Sequence, residues 1–307
     1  MIVLQLSDFH VRGDGSVSFG VVDTRRCLEE AVAHLKKLEA APDALVLTGD
    51  LADDGDENAY RILRESLSPL AWPIYAIPGN HDRRDPMRDI LAEWCPADRD
   101  VAPHLCYTVE DGPVRLVMVD TTNPGSHDGH CPPAVMRWLD KTLAKRPRTP
   151  TLLFMHHPPF ATGLPVMDLP LENADALAAI LRKNPPARLC CGHIHRPILS
   201  QWMGVSVVTA PAVSMQMELD LGEKGGDAFR LETPGYLLHH WKRGVLNTHV
   251  CQIATRTSFA GPYSFSRQET GDRRRETDEN RSVVQRSFSG GEAAAYFSVS
   301  CFLFPVS

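Results

Sequence analysis

The chain has 307 residues with a formal net charge of −6, and 43% of its residues are hydrophobic. This length suits one large domain, or a domain with an appendage, and the hydrophobic fraction suffices for a substantial core. The acidic balance argues against a nucleic-acid-binding protein, which draws much of its affinity from basic faces, and gives no reason to expect a membrane as partner. The sequence leaves open whether the protein forms a homo-oligomer.

The first third of the chain alternates short apolar runs with helix-like segments. Ile2–Leu6 is a predicted strand, and Asp23 is placed to cap a predicted helix over 24–39. Further strands are predicted at Ala44–Thr48 and Ile74–Ile77, and further helices over 57–67 and 86–94.

The remainder is richer in predicted strands. These lie at Leu105–Val109, Val114–Val119, Thr151–Met155, Leu189–Cys191, Ile198–Trp202, Val205–Thr209, 236–241 and 245–252. Helices are predicted near 133–144 and 174–183. A βαβαβ beginning followed by hairpin-like pairs predicts an α/β (α+β) fold with mixed sheets flanked by helices.

The two ends of the chain and its cysteines bear on location and domain organisation. The opening MIVLQLSDFH predicts no signal peptide, and no apolar run is long enough to span a bilayer. Eight scattered cysteines without a CxxC pair predict a reduced, cytoplasmic protein. Residues 1–266 are predicted to form the folded domain and 267–307 a poorly ordered tail, because the chain is polar and charged after Phe265 and turns apolar again only from Ala293. A docked strand within Ala293–Pro305 is the alternative.

Polar residues of a few kinds follow five of the predicted strands. They are Asp8 and His10, Asp50, Asn80 with His81 and Asp82, His156 with His157, and His193 with His195. Because the carboxyl ends of strands line one crevice in open α/β sheets, five loops could deliver these side chains to one place. Residues i and i+2 on an extended backbone face the same side, which predicts that Asp8 converges with His10 and His193 with His195.

The donor set indicates the kind of ion. Nitrogen and oxygen donors without a thiolate suit divalent Mn, Fe, Co or Zn. Seven donors are too many for one four-coordinate ion but fit two ions that share a carboxylate. Two such ions about 3.5–4 Å apart are a recurrent clamp for in-line attack at phosphorus.

Each residue also has an ordinary structural interpretation. His10 alone could be a surface histidine, and Asn80 after a glycine is a common turn residue. These interpretations are jointly implausible, because they would require a coincidence at five ordered sites. For His157, support of the metal ligands and a plain structural role are equally favoured. Asp82 could orient His81, but a cap for the helix over 86–94 is favoured.

The motifs DFH, GDLAD, GNHD, HHPP and GHIH, in this order, resemble the calcineurin-like metallophosphoesterase superfamily. Within it the chain resembles the class III cyclic-nucleotide phosphodiesterases and related glycerophosphodiesterases. The resemblance implies a two-sheet sandwich over residues 1–266 with a dinuclear metal site. It also implies that one ion is held by Asp8, His10, Asp50 and His195, and the other by Asp50, Asn80, His156 and His193.

The resemblance further implies a phosphodiesterase that hydrolyses small phosphodiesters, such as 3′,5′-cyclic AMP or glycerophosphodiesters, by attack of hydroxide generated on the ions. Asp50 bridges the ions, and His81 faces the substrate phosphate as a catalytic residue. Three loops are predicted to contact the organic parts of the substrate: Asp53–Asn58, Thr121–Cys131 and Ala161–Asn173, with Phe160 as their one neighbouring aromatic. The alternatives are a phosphomonoesterase or nucleotide hydrolase on the same site, and a non-catalytic binding member of the fold.

Overall fold

The computed structural model describes residues 1–169, 171–222 and 228–253. Its helices are α1 (Thr24–Leu35), α2 (Glu57–Leu67), α3 (Arg84–Ile90), α4 (Pro133–Lys145) and α5 (Ala174–Lys183), with single 3₁₀ turns at Ser68–Leu70 and Arg99–Val101. Its strands are β1 (Ile2–Leu6), β2 (Ala44–Thr48), β3 (Ile74–Ile77), β4 (Tyr107–Val109), β5 (Arg115–Val119), β6 (Gly129–His130), β7 (Thr151–Met155), β8 (Leu171–Glu172), β9 (Arg188–Cys191), β10 (Leu199–Trp202), β11 (Val205–Thr209), β12 (Gln216–Met217), β13 (Phe229–Arg230), β14 (Gly235–Lys242) and β15 (Val245–Gln252).

Most strands belong to two mixed sheets. The first has the order β15-β14-β1-β2-β3, in which β1, β2 and β3 are parallel and β14 runs antiparallel to both of its neighbours. The second has the order β10-β11-β9-β7-β5-β4, in which β5, β7, β9 and β11 are parallel. Parallel strands at the centre of each sheet place their carboxyl ends along one edge.

The alternation of buried side chains shows how the sheets are layered. Val3 of β1 and Phe154 of β7 belong to one apolar cluster, which receives residues from both sheets and fills the space between them. Leu4 lies on the other face of β1, in a cluster with α1, α2 and α3. Leu153 lies on the other face of β7, in a cluster with α4 and α5. The molecule is therefore a two-sheet sandwich with helices on both outer faces.

The predicted fold class is confirmed, and the predicted element positions agree closely with the structure. Asp23 caps α1 as predicted, because its carboxylate accepts a hydrogen bond from the Arg26 N–H. The predicted helix over 24–39 ends at Leu35, and the helix predicted over 86–94 covers Arg84–Ile90 instead. The ribbons β6–β8 and β12–β13 were not predicted, since two-residue strands carry no periodic pattern.

Two further predictions concern membrane spans and the end of the chain. Among the described residues, no helix is long and apolar enough to cross a membrane. The predicted tail 267–307 and the segment Ala293–Pro305 lie outside the described residues.

Candidate metal centre

The carboxyl ends of five parallel strands, three from one sheet and two from the other, deliver polar side chains to one place. These strands are β1, β2, β3, β7 and β9. The predicted site residues that gather there are Asp8, His10, Asp50, Asn80, His81, His156, His193 and His195. The sandwich therefore brings together all the side chains that the sequence motifs single out as metal ligands.

One half of the cluster contains four buried donors, Asp8, His10, Asp50 and His195, whose ligand atoms all lie within 4.8 Å of one another. The Nε2 atoms of His10 and His195 stand 3.1 Å apart. His195 Nε2 is 3.5 Å from Asp8 Oδ1, and His10 Nε2 is 3.5 Å from Asp50 Oδ2. Four donor atoms thus face a common centre.

The other half is formed by Asp50, Asn80, His156 and His193. The carboxamide oxygen of Asn80 is 3.1 Å from His156 Nε2 and 2.9 Å from His193 Nδ1. Its nitrogen is turned outward, 2.9 Å from His127 Nδ1. Oδ2 of Asp50 lies 3.4 Å from His156 Nε2, so this one carboxylate borders both halves.

Backbone carbonyl groups fix which nitrogen two of the imidazoles present. Nδ1 of His156 donates to the Thr48 carbonyl at 2.7 Å, and Nδ1 of His195 donates to the Met215 carbonyl at 2.8 Å. In each ring the Nε2 lone pair therefore points into the cluster. This arrangement of a second hydrogen bond behind the ring is typical of metal-ligating histidines.

The buried carboxylates of the cluster favour the binding of a cation. Asp8 is fully buried, and its Oδ2 has no hydrogen-bond partner among the described residues. Burial, with a further contribution from the Asp50 carboxylate, raises the pKa of Asp8 to about 6. A buried carboxylate oxygen without a donor is costly, and a bound cation would satisfy it. The residues present therefore fit divalent ions.

The backbone brings these side chains together by a route that the sequence did not predict. Asp8, His10, Asp50, His193 and His195 all have positive φ, between 49° and 70°. This left-handed region is uncommon for residues other than glycine, and such residues concentrate at functional sites. The predicted extended geometry is therefore wrong, although Asp8 and His10 do converge as predicted. His195 joins Asp8, whereas His193 turns to the Asn80 half of the cluster.

Two glycines permit the close approach of these loops. Gly49 has φ +91°, and a Cβ there would stand 2.4 Å from His156 Nδ1. A Cβ on Gly79 would stand 2.2 Å from Asp50 Oδ1. Any side chain at either position would displace a residue of the cluster.

Asp82 has a different role from both of those predicted. It is fully buried, and its carboxylate accepts hydrogen bonds from the N–H groups of Leu51, Ala52 and Gly79 and from the hydroxyl of Tyr60. It does not cap α3, which has no side-chain cap, and the His81 ring is hydrogen-bonded to the Asp53 carbonyl instead. Asp82 instead ties the loop after β2 to the loop after β3.

His157 packs behind the cluster. Its ring centroid lies 4.9 Å from those of both His156 and His193, and its Nδ1 is 2.8 Å from the Thr121 hydroxyl. Burial, followed by the charge of His156, lowers the pKa of His157 well below its usual value. Because the neutral His157 ring packs against two proposed ligands, a role in supporting those ligands is favoured over a plain structural role.

A cavity of about 530 Å³ opens above the cluster. Its polar wall includes His81 and His127, and its apolar wall is lined by Phe19, Val166, Met167, Leu169, Met215 and Met217. The predicted loops Thr121–Cys131 and Ala161–Asn173 both contribute, but Phe160 packs into the core beside α4 and α5. Phe19, Met215 and Met217 were not predicted, because no recognisable sequence motif marks them.

A two-sheet sandwich whose strand ends hold a cluster of imidazole, carboxylate and carboxamide donors defines a metallophosphoesterase. Residues 1–197 match the family model of the calcineurin-like phosphoesterases, and the chain belongs to that family. Its members use a dinuclear divalent metal site.

Several relatives are similar over most of the chain. The probable glycerophosphodiester phosphodiesterase GpdQ of Arcobacter nitrofigilis is 34% identical over 86% of this chain and 97% of its own. A cAMP/cGMP dual specificity phosphodiesterase of Mycobacterium tuberculosis is 32% identical, over 73% of this chain and 71% of its own. The 3′,5′-cyclic adenosine monophosphate phosphodiesterase CpdA of Escherichia coli is 28% identical, over 82% and 90%.

Solved structures share the fold at low sequence identity. A dimetal phosphatase from Danio rerio superimposes with a TM-score of 0.60 at 14% identity, covering 83% of this chain and 99% of that one. GAP50, the anchor in the inner membrane complex of Plasmodium, superimposes with a TM-score of 0.54 at 14% identity, over 84% of this chain and 90% of that one. The same fold therefore occurs in a phosphatase and in an anchor protein.

Proposed function

We propose that the cluster binds two divalent metal ions which share the Asp50 carboxylate. The observation that carries this proposal is the position of Asp50 Oδ2, 3.5 Å from His10 Nε2 and 3.4 Å from His156 Nε2. One carboxylate oxygen thus borders both groups of donors, as a bridging ligand must. The proposed ligands are Asp8, His10, Asp50 and His195 for one ion and Asp50, Asn80, His156 and His193 for the other.

The identity of the ions follows from the donor types. Imidazole, carboxylate and carboxamide without thiolate suit Mn, Fe, Co or Zn. Bound there, the ions would supply Lewis acidity to the phosphate and lower the pKa of a water nucleophile.

The reaction that we propose is the hydrolysis of small phosphodiesters. The relatives named as cyclic-nucleotide and glycerophosphodiester phosphodiesterases support this substrate class. The cavity of about 530 Å³ is of the size that small organic ligands occupy. The proposed substrates are 3′,5′-cyclic AMP, related cyclic nucleotides and glycerophosphodiesters. Binding of nucleic acid or membranes is not proposed.

His81 is the proposed catalytic side chain of the protein itself. The backbone N–H of His81 donates to Asp50 Oδ1 at 2.9 Å, and its ring Nδ1 donates to the Asp53 carbonyl at 2.7 Å. The ring is therefore held at the edge of the cluster with Nε2 left for the substrate. A proton held on Nε2 would pass to the leaving alkoxide, which is a poor leaving group without it.

The test is a substrate panel on purified protein reconstituted separately with Mn, Fe, Co and Zn. It comprises a cyclic nucleotide, a glycerophosphodiester, an aryl diester and the matching aryl monoester. We expect metal-dependent hydrolysis of all three diesters, with the monoester slower. Removal of metal with a chelator should abolish turnover, and adding the ion back should restore it.

Two results would favour the alternatives. A preference of tenfold or more for the monoester would indicate a phosphomonoesterase or nucleotide hydrolase. Tight binding of metal without hydrolysis of any ester would indicate a non-catalytic binding member of the fold. A cytoplasmic location stays a proposal, supported by the seven described cysteines, which are all free thiols.

A further inference from the structure

A second cavity, of about 490 Å³, adjoins the cluster at Asn80 and His81. The two cavities share Asn80 and His81 in their walls. The second is completed by Arg83 and Arg84 at the start of α3 and by Pro103, Thr122 and Pro124. A phosphodiester has two organic arms, and two cavities meet at Asn80 and His81, beside the proposed phosphate position.

The charged groups around the second cavity are mostly neutralised. Arg84 makes a bidentate ion pair with the buried Asp120, at 2.6 and 3.0 Å, and also donates to the Thr122 carbonyl. Asp85 is paired with Arg88 at 2.8 Å. These groups are therefore not available to a ligand without first breaking an ion pair.

Arg83 is the exception. Its side chain is exposed, and its guanidinium makes no hydrogen bond or ion pair with any described residue. The methylene stem lies across Gly55, where a Cβ would stand 2.4 Å from Arg83 Cγ and 2.7 Å from Cδ. The wall of the cavity thus carries a positive charge whose stem packs at Gly55 and whose guanidinium has no partner among the described residues.

We propose that the second cavity receives one arm of the phosphodiester and that Arg83 selects an arm carrying an anionic oxygen group, a carboxylate or a second phosphate. A guanidinium recognises such groups through parallel N–H donors. The apolar wall around Phe19 and Val166 leaves the first cavity for an uncharged arm. This inference rests on the proposed function and names the substrate class more narrowly.

The experiment compares three diesters with the same nitrophenolate leaving group. Their second arms are hydroxypropionate, hydroxypropionamide and aminopropanol, which are similar in size and carry a negative, a neutral and a positive group. We expect the wild-type protein to favour the carboxylate. Arg83→Gln should lower kcat/KM for the carboxylate by about three- to fivefold, because an exposed ion pair contributes a free energy of about that size. It should leave kcat/KM for the amide unchanged. Arg83→Glu should favour the ammonium arm.

The matched control is Arg61→Gln, which removes the same charge from the exposed face of α2, where Arg61 pairs with Glu57. It should alter none of the three substrates. An equal loss for carboxylate and amide in Arg83→Gln, or no loss for either, would overturn the selection by Arg83. Failure of the wild-type protein to hydrolyse any of the three diesters with any ion would instead remove the proposed function itself.

Discussion

His81 offers the sharpest test at the scale of single residues. It borders both cavities, yet it is absent from the proposed ligand sets. His81→Ala should therefore keep its metal content while losing about 10²–10⁴-fold in rate on poor leaving groups, the range for a general acid. Metal analysis and steady-state kinetics on the same sample measure both quantities.

The dependence on the leaving group separates two roles of His81. If it donates a proton, the loss should shrink for nitrophenolate, which leaves without one. A loss of the same size for good and poor leaving groups would contradict proton donation and indicate positioning of the phosphate.

Asp50 should be the most sensitive ligand, because its Oδ2 borders both groups of donors. Asp50→Ala is expected to lose both ions and all turnover. His10→Ala is the matched comparison, since it removes a donor from one group only and should leave one ion bound. Elemental analysis after reconstitution and gel filtration measures the difference. Retention of two ions by Asp50→Ala would contradict a shared carboxylate.

Which residues gather at the site was predictable, but how they gather was not. Motif residues at strand ends identify Asp8, Asp50 and His156, because parallel strands end at one edge. The left-handed backbone at Asp8 is not predictable in this way, since that conformation is stabilised by tertiary contacts, such as its Oδ1 accepting the His193 N–H. The role of Asp82 in joining two loops could not be predicted from the sequence either, because its hydrogen-bond donors come from two separate loops.

At the scale of elements, β14 carries a buried histidine, His239, that should make the stability of the fold depend on pH. His239 Nε2 donates to Gln5 Oε1 at 3.1 Å, and its Nδ1 lies 2.8 Å from the Thr248 hydroxyl. Gln5 in turn donates to the Cys191 carbonyl of the other sheet at 2.9 Å. Burial, followed by the charge of Arg188, lowers the pKa of His239 to about 3.

The expected consequence is a loss of stability in acid. The unfolded chain takes up a proton on this histidine near pH 6.5, whereas the folded chain does so only near pH 3. The free energy of unfolding therefore falls by about 1.4 kcal/mol per pH unit as the pH drops between these values. His239→Gln should show a shallower slope in urea unfolding over this range.

His249→Gln is the matched control, because His249 lies on the adjacent strand with its side chain exposed. Its slope should equal that of the wild-type protein. If His239→Gln also kept the wild-type slope, His239 would not be the neutral buried group that the structure indicates.

Strands were easier to predict than their layering. Runs such as Thr151–Met155 were predicted to the residue, because a continuous apolar run bounded by polar residues is typical of a buried parallel strand. That pattern cannot show which face meets the other sheet, since both faces are apolar. Only packing reveals that Phe154 faces inward and Leu153 faces the helices.

At the scale of the whole molecule, the boundary of the catalytic domain is a matter for experiment. The described chain ends at Ile253, which is fully buried in the cluster beneath α1 and α2 and whose N–H donates to the Pro234 carbonyl. β15 pairs with β14 along its whole length and completes the first sheet. The chain up to this point is thus part of the folded sandwich that holds the site.

Ending the chain after Arg267 should therefore leave metal content and turnover within a few-fold of the full-length protein, because 267–307 contributes no proposed ligand and is polar and charged up to Glu292. Ending it after Trp241 is the control. That variant lacks β15 and Ile253 and should fail to fold, since one edge of the first sheet and part of its core are gone. If the variant ending at Arg267 were also insoluble or inactive, the apolar segment Ala293–Pro305 would be required by the domain or by a second copy of the chain. The domain would then extend beyond the predicted boundary at 266.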